Sequence, residues 1–270
     1  MTVHEGFGNR ALLWIIAILG LLVIYAPPLY LLAISFNPAL QPSLPSLSAL
    51  SLDWYMALPR EKALIGALQQ SLLIAFATAV FATALSLLAA LAYVELRFGR
   101  TSWFLLVLLP MFVPGVVQGL ALSAVFSRLG VKASMITLIS GHLLWAMPFA
   151  FIVILTSFAA VRQNFLLAAA DLGANRWRQF VDVTLPLIRP GLVSAFIFSF
   201  LLSLNEFTRA FYLSGRQNTL PVVLFSKMNS GASPVIYAMS GAIFIASVLM
   251  VAALALYNLL GRRAPVLEAQ

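Results

Sequence analysis

Apolar residues fall along this chain in long blocks rather than in alternation. Six stretches are predominantly apolar: Ala11–Phe36, Ser71–Val94, Trp103–Phe126, Met135–Phe158, Leu192–Leu213 and Val235–Leu260. Each exceeds the roughly 20 residues that an α-helix, rising 1.5 Å per residue, needs to cross a hydrocarbon core about 30 Å thick. Five contain no Asp, Glu, Lys or Arg, and the remaining one carries Glu206 and Arg209. The first block follows Arg10 but is too long for the apolar region of a secretory signal and shows no small-residue cleavage site, so a retained first helix is expected. The pattern predicts an all-α, polytopic membrane protein with six transmembrane helices, forming a single transmembrane domain over residues 1–270.

Composition agrees with that pattern. Hydrophobic residues make up 62% of the 270, charged residues only 9%, and the mean hydropathy is +1.01. A soluble chain carries roughly 25% charged residues. Lipid must therefore be the solvent for most of the surface. Zero cysteines exclude a disulfide framework, a zinc ribbon and a thiol nucleophile. The net charge of +8 fits basic loops beside anionic headgroups. No Lys/Arg stripe or basic arm runs along the chain, so no nucleic-acid partner is expected. Neither a Walker GxxxxGK[ST], nor a GxSxG elbow, nor an HExxH is present, which removes the motif-bearing enzyme classes.

Six spans place both termini on one side. Arg10, Arg97, Arg100, Arg162, Arg176, Arg178, Arg189, Arg262 and Arg263 share that side, while Arg60, Lys62, Arg128, Lys132, Arg216 and Lys227 lie on the other. The nine-to-six excess puts the termini in the cytoplasm under the positive-inside rule. The long outer loop, 37–70, opens with a Pro- and Ser-rich run and continues into LDWYMAL, a short helix expected under Asp53 as N-cap, with Trp54 and Tyr55 at the membrane interface. No internal repeat of the kind used by secondary transporters is visible.

The loop between the fourth and fifth spans, 161–189, reads as two short helices. Asn164 can cap the first, FLLAAADL, and Gly173 stands where a left-handed residue would end it. Asn175 can cap the second, in which Trp177, Phe180, Val181, Thr184 and Leu185 share a face suited to rest on the bundle. Pro186 and Pro190 are expected to bound the start of the next span. The alanine-rich first helix offers little side-chain bulk, so another protein can approach its backbone closely.

At these residues the chain resembles the membrane subunits of type I ATP-binding cassette (ABC) importers. Their hallmark is a cytoplasmic Glu-Ala-Ala, a Gly further on, and an aliphatic-x-Leu-Pro ending. Ala168, Ala169 and Gly173 hold the Ala-Ala and Gly positions, Val183, Leu185 and Pro186 hold the ending, and Leu167 stands where the family has Glu. Further likeness to the spermidine/putrescine branch lies in ISFN (Ile34–Asn37), the spacing of His142 to Pro148 and Phe149, DLGA (Asp171–Ala174), SLNE (Ser203–Glu206) and LPVVLFSKMNSGASP before the last span. The resemblance implies the type I importer transmembrane fold in a bacterial inner membrane. It also implies a coupling helix, built from Leu167, Ala168, Ala169, Asp171, Gly173, Ala174 and Arg176, seated in a cleft of an ATPase subunit. The implied partners are a second homologous permease subunit, a pair of ATPase subunits that bind ATP and Mg, and an extracytoplasmic binding protein; no cofactor is implied on this chain. A polyamine-like cargo is implied first, with 2-aminoethylphosphonate, an opine, ferric iron or thiamine as alternatives within the same architecture. A stand-alone secondary transporter or channel, or an intramembrane enzyme, are the readings outside it.

An ionisable side chain at mid-membrane costs about 2.5–3.5 kcal/mol on insertion scales, so Glu206 and Arg209 need a reason. Two readings stand. Asn205, Glu206 and Arg209 line the solute path, joined by Gln118 as a donor, or Glu206 and Arg209 pair at i, i+3 and neutralise each other. His142 has no second ligand at metal spacing and is expected to bond a neighbouring helix. Gly115 and Gly119, beside Pro110 and Pro114, predict close packing or a kink, and Tyr212, Trp145 and Trp54 predict packing or interfacial aromatics.

Overall fold

The computed structural model describes residues 7–216, 218–231 and 233–261, and among them there is no strand. The helices are α1 (Phe7–Ile34), α2 (Asp53–Ala57), α3 (Lys62–Glu95), α4 (Arg100–Phe112), α5 (Gly115–Arg128), α6 (Met135–Ser157), α7 (Gln163–Asp171), α8 (Arg176–Arg178), α9 (Leu185–Leu204), α10 (Thr208–Leu213), α11 (Leu220–Asn229) and α12 (Pro234–Gly261). Five helices among the described residues are long and apolar enough to span a membrane, and a sixth span results if α4 and α5 are taken together. Arg262 and Arg263, used above to orient the chain, lie outside the described residues.

Two of the six expected spans are interrupted, for local reasons. The block 103–126 is not one helix: α4 and α5 meet at 95°. Pro114 disfavours helical geometry at the residue before it, and Val113 sits at φ −91°, ψ 126°. The block 192–213 is also divided, since α9 ends at Leu204 and α10 starts at Thr208. At the other end of α9 the expected stop at Pro186 and Pro190 is absent. Arg176–Leu204 is one continuous helix of 29 residues, with a π-helical segment over Gln179–Thr184. A π turn shifts the backbone register where Pro186 has no N–H to give and its ring crowds the preceding turn.

Contacts divide the chain into two compact units. One takes the described residues up to Lys62 with Lys227–Ser247; the other takes Ala63–Ser226 with the described residues from Val248 on. In the first, the segment after α1 is pinned by its own polar groups. Trp54 donates its indole N–H to the Asn37 carbonyl at 2.9 Å, the Asn37 amide donates to the Ser43 carbonyl at 2.6 Å, and Ser35 Oγ meets the Tyr55 hydroxyl at 2.6 Å. Trp54 and Tyr55 thus fasten this segment rather than simply marking an interface. Asp53 is the first residue of α2, not its cap; Leu52 takes that position. The apolar side chains of α1 from Leu12 to Ile24 are exposed, with no residue of its spanning window buried in the chain, as lipid-facing residues would be.

In the second unit the helices approach closely because their contact faces are small. The main buried cluster is Ala82, Ala89, Ala90, Leu108, Ala146, Ala150, Phe151, Ile154 and Ala195, six of nine being alanine. Lipid tails are as apolar as Leu, so helices in a bilayer associate through van der Waals contact between near backbones. Gly191 on α9 shows how near: a Cβ there would lie 2.4 Å from Ser157 Cβ. Gly191→Ala is therefore expected to destabilise the detergent-solubilised protein by about 1–3 kcal/mol, the usual cost of overpacking, and Ser157→Gly in the same chain should recover part of that loss. Unfolding of the single and double variants measures the coupling; additive losses would show that the two residues do not meet.

Candidate functional site

The interruption between α9 and α10 is where the two intramembrane charges lie, and they pair. Glu206 and Arg209 are 6% and 3% exposed. Arg209 Nη1 donates to Glu206 Oε2 at 2.9 Å, and the Arg209 backbone N–H donates to Oε1 at 2.8 Å. Both carboxylate oxygens are thus engaged, one by the guanidinium and one by an otherwise orphaned amide in the first turn of α10. The guanidinium lies 4.6 Å from the ring centroid of Trp145, close enough for cation–π attraction.

Gln118 completes the arrangement. It is 5% exposed, accepts from Arg209 Nε at 2.6 Å through Oε1, and donates through Nε2 to the carbonyl of Pro110. Asn205, by contrast, is exposed and bonds its amide to the Leu201 carbonyl at 2.9 Å. Of the four expected path residues, then, Glu206, Arg209 and Gln118 form one buried chain and Asn205 stands outside it. His142 makes the expected interhelical bond, Nδ1 to Ser203 Oγ at 2.7 Å. Space for the network comes from glycines. A Cβ on Gly115 would lie 3.2 Å from Arg209 Nη1, one on Gly119 would lie 2.8 Å from Tyr212 Cδ2, and one on Gly141 would lie 2.3 Å from Leu213 Cδ1. Trp145 as a seat for Arg209 was not foreseen, because the two are 64 positions apart and nothing in the linear pattern joins them.

The second candidate region, 161–189, starts with a short helix and a turn as expected, but the second short helix is instead the beginning of the continuous helix Arg176–Leu204. α7 begins at Gln163 rather than after an Asn164 cap. It ends at Gly173 with φ +82°, where Ala174 N–H bonds the Ala169 carbonyl at 2.9 Å and Gly173 N–H bonds that of Ala170 at 2.8 Å. Asn175 Oδ1 then caps the next helix by accepting from Arg178 N–H at 2.9 Å. Leu167, Ala168, Asp171, Gly173 and Arg176 are exposed, while Ala169 and Ala174 are half-buried. Arg176 reaches Glu95 at 3.8 Å, an exposed and hence weak pair. Trp177 departs from the expectation that its face rests on the bundle: it is 70% exposed, and the inward contacts fall to Thr184, with Phe180 and Val181 half-buried. Among the described residues no group of three or more His, Cys, Asp or Glu could hold a metal.

Long apolar helices, two of the expected spans broken, and a buried neutral charge network at one break mark an integral membrane protein. Comparison with known proteins gives that class a family. A family model described as binding-protein-dependent transport system inner membrane component matches residues 82–265, and the chain belongs to that family. The putrescine transport system permease protein PotI of Escherichia coli is 31% identical over 237 residues, covering 84% of this chain and 83% of that one. The spermidine/putrescine transport system permease protein PotC of Haemophilus influenzae is 29% identical over 230 residues, covering 84% and 89%. Among solved structures, a bacterial ABC transporter involved in import of the acidic polysaccharide alginate has the same fold, with a TM-score of 0.69 at 19% identity over 95% of this chain and 96% of that one.

Removing one partner of a buried ion pair costs about 3–5 kcal/mol, because the other charge is stranded. Glu206→Ala should destabilise the detergent-purified protein by that order. Asn205→Ala, at an exposed position, should change stability by no more than about 0.5 kcal/mol. Denaturant unfolding of the two variants distinguishes them; equal stability would contradict the network.

Proposed function

We propose that this chain is one half of the membrane channel of an ATP-driven importer for polyamine-like small cations, paired with a second homologous permease. Two ATPase subunits, which hold ATP and Mg, sit beneath it, and an extracytoplasmic binding protein delivers the solute. The relatives named as putrescine and spermidine permeases support the cargo class. Both termini and the 161–189 segment face the cytoplasm in this reading. Leu167, Ala168, Ala169, Asp171, Gly173, Ala174 and Arg176 form the surface that the ATPase grips.

The observation that carries the mechanism is the continuous helix Arg176–Leu204. It is about 43 Å long at 1.5 Å per residue. One end begins at the Asn175 cap beside the gripped surface, and the other stops next to Glu206. A displacement of the 161–189 segment is delivered to the break without a joint between, which suits alternating access by rigid-body movement. At the break, Asn205 faces the path and bonds the solute, while Glu206, Arg209 and Gln118 form the wall behind it. Both Glu206 oxygens are already engaged, so the positive charge of a polyamine is balanced mainly by groups on the second permease.

Proteoliposomes holding the full complex and its loaded binding protein test this reading. ATP-driven uptake of putrescine or spermidine is expected, and Gly173→Val, which forces a β-branched side chain to φ +82°, should lower uptake at least tenfold by loosening the gripped surface. Uptake of 2-aminoethylphosphonate in place of both amines would move the cargo assignment. A complex that purifies without any ATPase would overturn the importer reading.

A further inference from the structure

The two interruptions are not independent. Val113–Pro114 separates α4 from α5, and Asn205–Phe207 separates α9 from α10. One chain of polar contacts runs between them: the Glu206 carboxylate to the Arg209 guanidinium, the guanidinium to Gln118 Oε1, and Gln118 Nε2 to the carbonyl of Pro110 in the last turn of α4. Gln118 itself lies in the first turn of α5, its backbone N–H bonded to the Pro114 carbonyl at 3.1 Å. It therefore straddles one break with its own side chain and grips the other break through Arg209. Alongside this chain, Gly115 and Gly119, one helical turn apart on α5, receive Thr208, Arg209 and Tyr212 of α10 at contact distance.

We propose that Gln118 and Arg209 are positioning residues that lock α5 to α10, so that the two broken spans hinge together during transport rather than sliding past each other. This rests on the importer reading. The physical reason is the cost of the alternative. Separating α5 from α10 would leave a buried guanidinium with one acceptor fewer, and would strip Gln118 of its charge-assisted bond in a medium that offers no water. Moving the pair as one body keeps the bonds among Gln118, Arg209 and Glu206 and confines the backbone change to Val113–Pro114 and Asn205–Phe207, where no regular helix has to be broken; the bond from Gln118 to the Pro110 carbonyl crosses the first hinge and is the one contact exchanged, that carbonyl also accepting from the Val113 N–H at 3.3 Å. In this arrangement the intramembrane carboxylate serves geometry, holding Arg209, and does not bind the cargo.

The chain has no cysteine, so an engineered pair can be read cleanly. A Cβ at Gly119 would lie 3.2 Å from Tyr212 Cβ, a few tenths short of the roughly 3.5–4.5 Å of a disulfide. Gly119→Cys with Tyr212→Cys removes the ring that would clash and allows a cross-link between α5 and α10. In the reconstituted complex, the oxidised pair is expected to keep at least about half of the uptake rate of the reduced pair. Uptake that stops on oxidation and returns on reduction would overturn the proposal, because the helices would then have to separate. Should that pair fail to assemble, Gln118 decides the matter. Gln118→Met, which deletes both hydrogen bonds at similar volume, should lower the maximal uptake rate about tenfold while the half-saturating solute concentration changes less than twofold. Gln118→Glu, which keeps an acceptor for Arg209 Nε, should recover part of the rate. An unchanged maximal rate in Gln118→Met, or a raised half-saturating concentration with the maximal rate intact, would overturn the positioning role. Loss of uptake already in the unaltered complex would instead remove the importer reading on which the proposal rests.

Discussion

A helix interrupted inside hydrocarbon leaves carbonyls and amides without partners, and no water is present to take them. This chain interrupts two of its spans and meets that demand with a small set of side chains. The Pro110 carbonyl, near the end of α4, is shared by the Val113 N–H and Gln118; the Arg209 amide, in the first turn of α10, is taken by Glu206; the Leu201 carbonyl is shared by the backbone and side-chain nitrogens of Asn205. The Glu206 carboxylate could not do this alone, since an isolated charge there would be expelled or neutralised. Arg209 makes it tolerable, and Gln118 and the Trp145 ring make Arg209 tolerable in turn. At this break the two charges engage each other and the backbone amide of Arg209.

That requirement propagates outward through packing. α10 can reach α5 and α6 only because Gly115, Gly119 and Gly141 leave room for Arg209, Tyr212 and Leu213. The same economy of bulk recurs around Ala82, Ala146, Ala150 and Ala195. Thin, interdigitated contact faces suit a transport protein. Around these residues the helices of the second unit meet through close shape rather than through bulky side chains, the kind of packing in which helices shift as rigid bodies between discrete arrangements. The 29-residue helix from Arg176 to Leu204 is the clearest rigid body of this kind, and its π segment absorbs Pro186 without a joint.

Leu167, which stands where the resemblance expects Glu, is 55% exposed beside the still more exposed Leu172 and Trp177. The backbone around it keeps a capped, left-handed turn at Gly173 and a capped restart at Asn175. Shape is thus retained where one carboxylate is missing. The segment therefore presents more apolar surface than a Glu at that position would give, and charge from Arg176, Arg178 and Asp171 lies at its edge.

Much of this protein is legible in linear order because the bilayer imposes a length on every span and water imposes polarity on everything else. The blocks of apolar residues located five span-length helices among the described residues, or six with α4 and α5 taken together, Gly173 and Asn175 marked the turn between α7 and α8, and the rarity of Glu206 and Arg209 singled them out. Those are local rules, acting over a few residues or over one membrane thickness. The interruption at Val113–Pro114 was signalled only as an alternative, and the one at Asn205–Phe207 had no signal in hydropathy, because a short break does not change the mean over a span. Whether Glu206 paired with Arg209 or faced a solute, and that Gln118, 91 positions away from Arg209, closes the chain with it, depended on which helices became neighbours. Neighbours are chosen by the fit of small residues against large ones across the whole bundle. That fit is a property of three dimensions, which is why the i, i+3 pairing of the charges could stand in the sequence as one of two readings, but the contacts of Arg209 with Gln118 and Trp145 only in the fold.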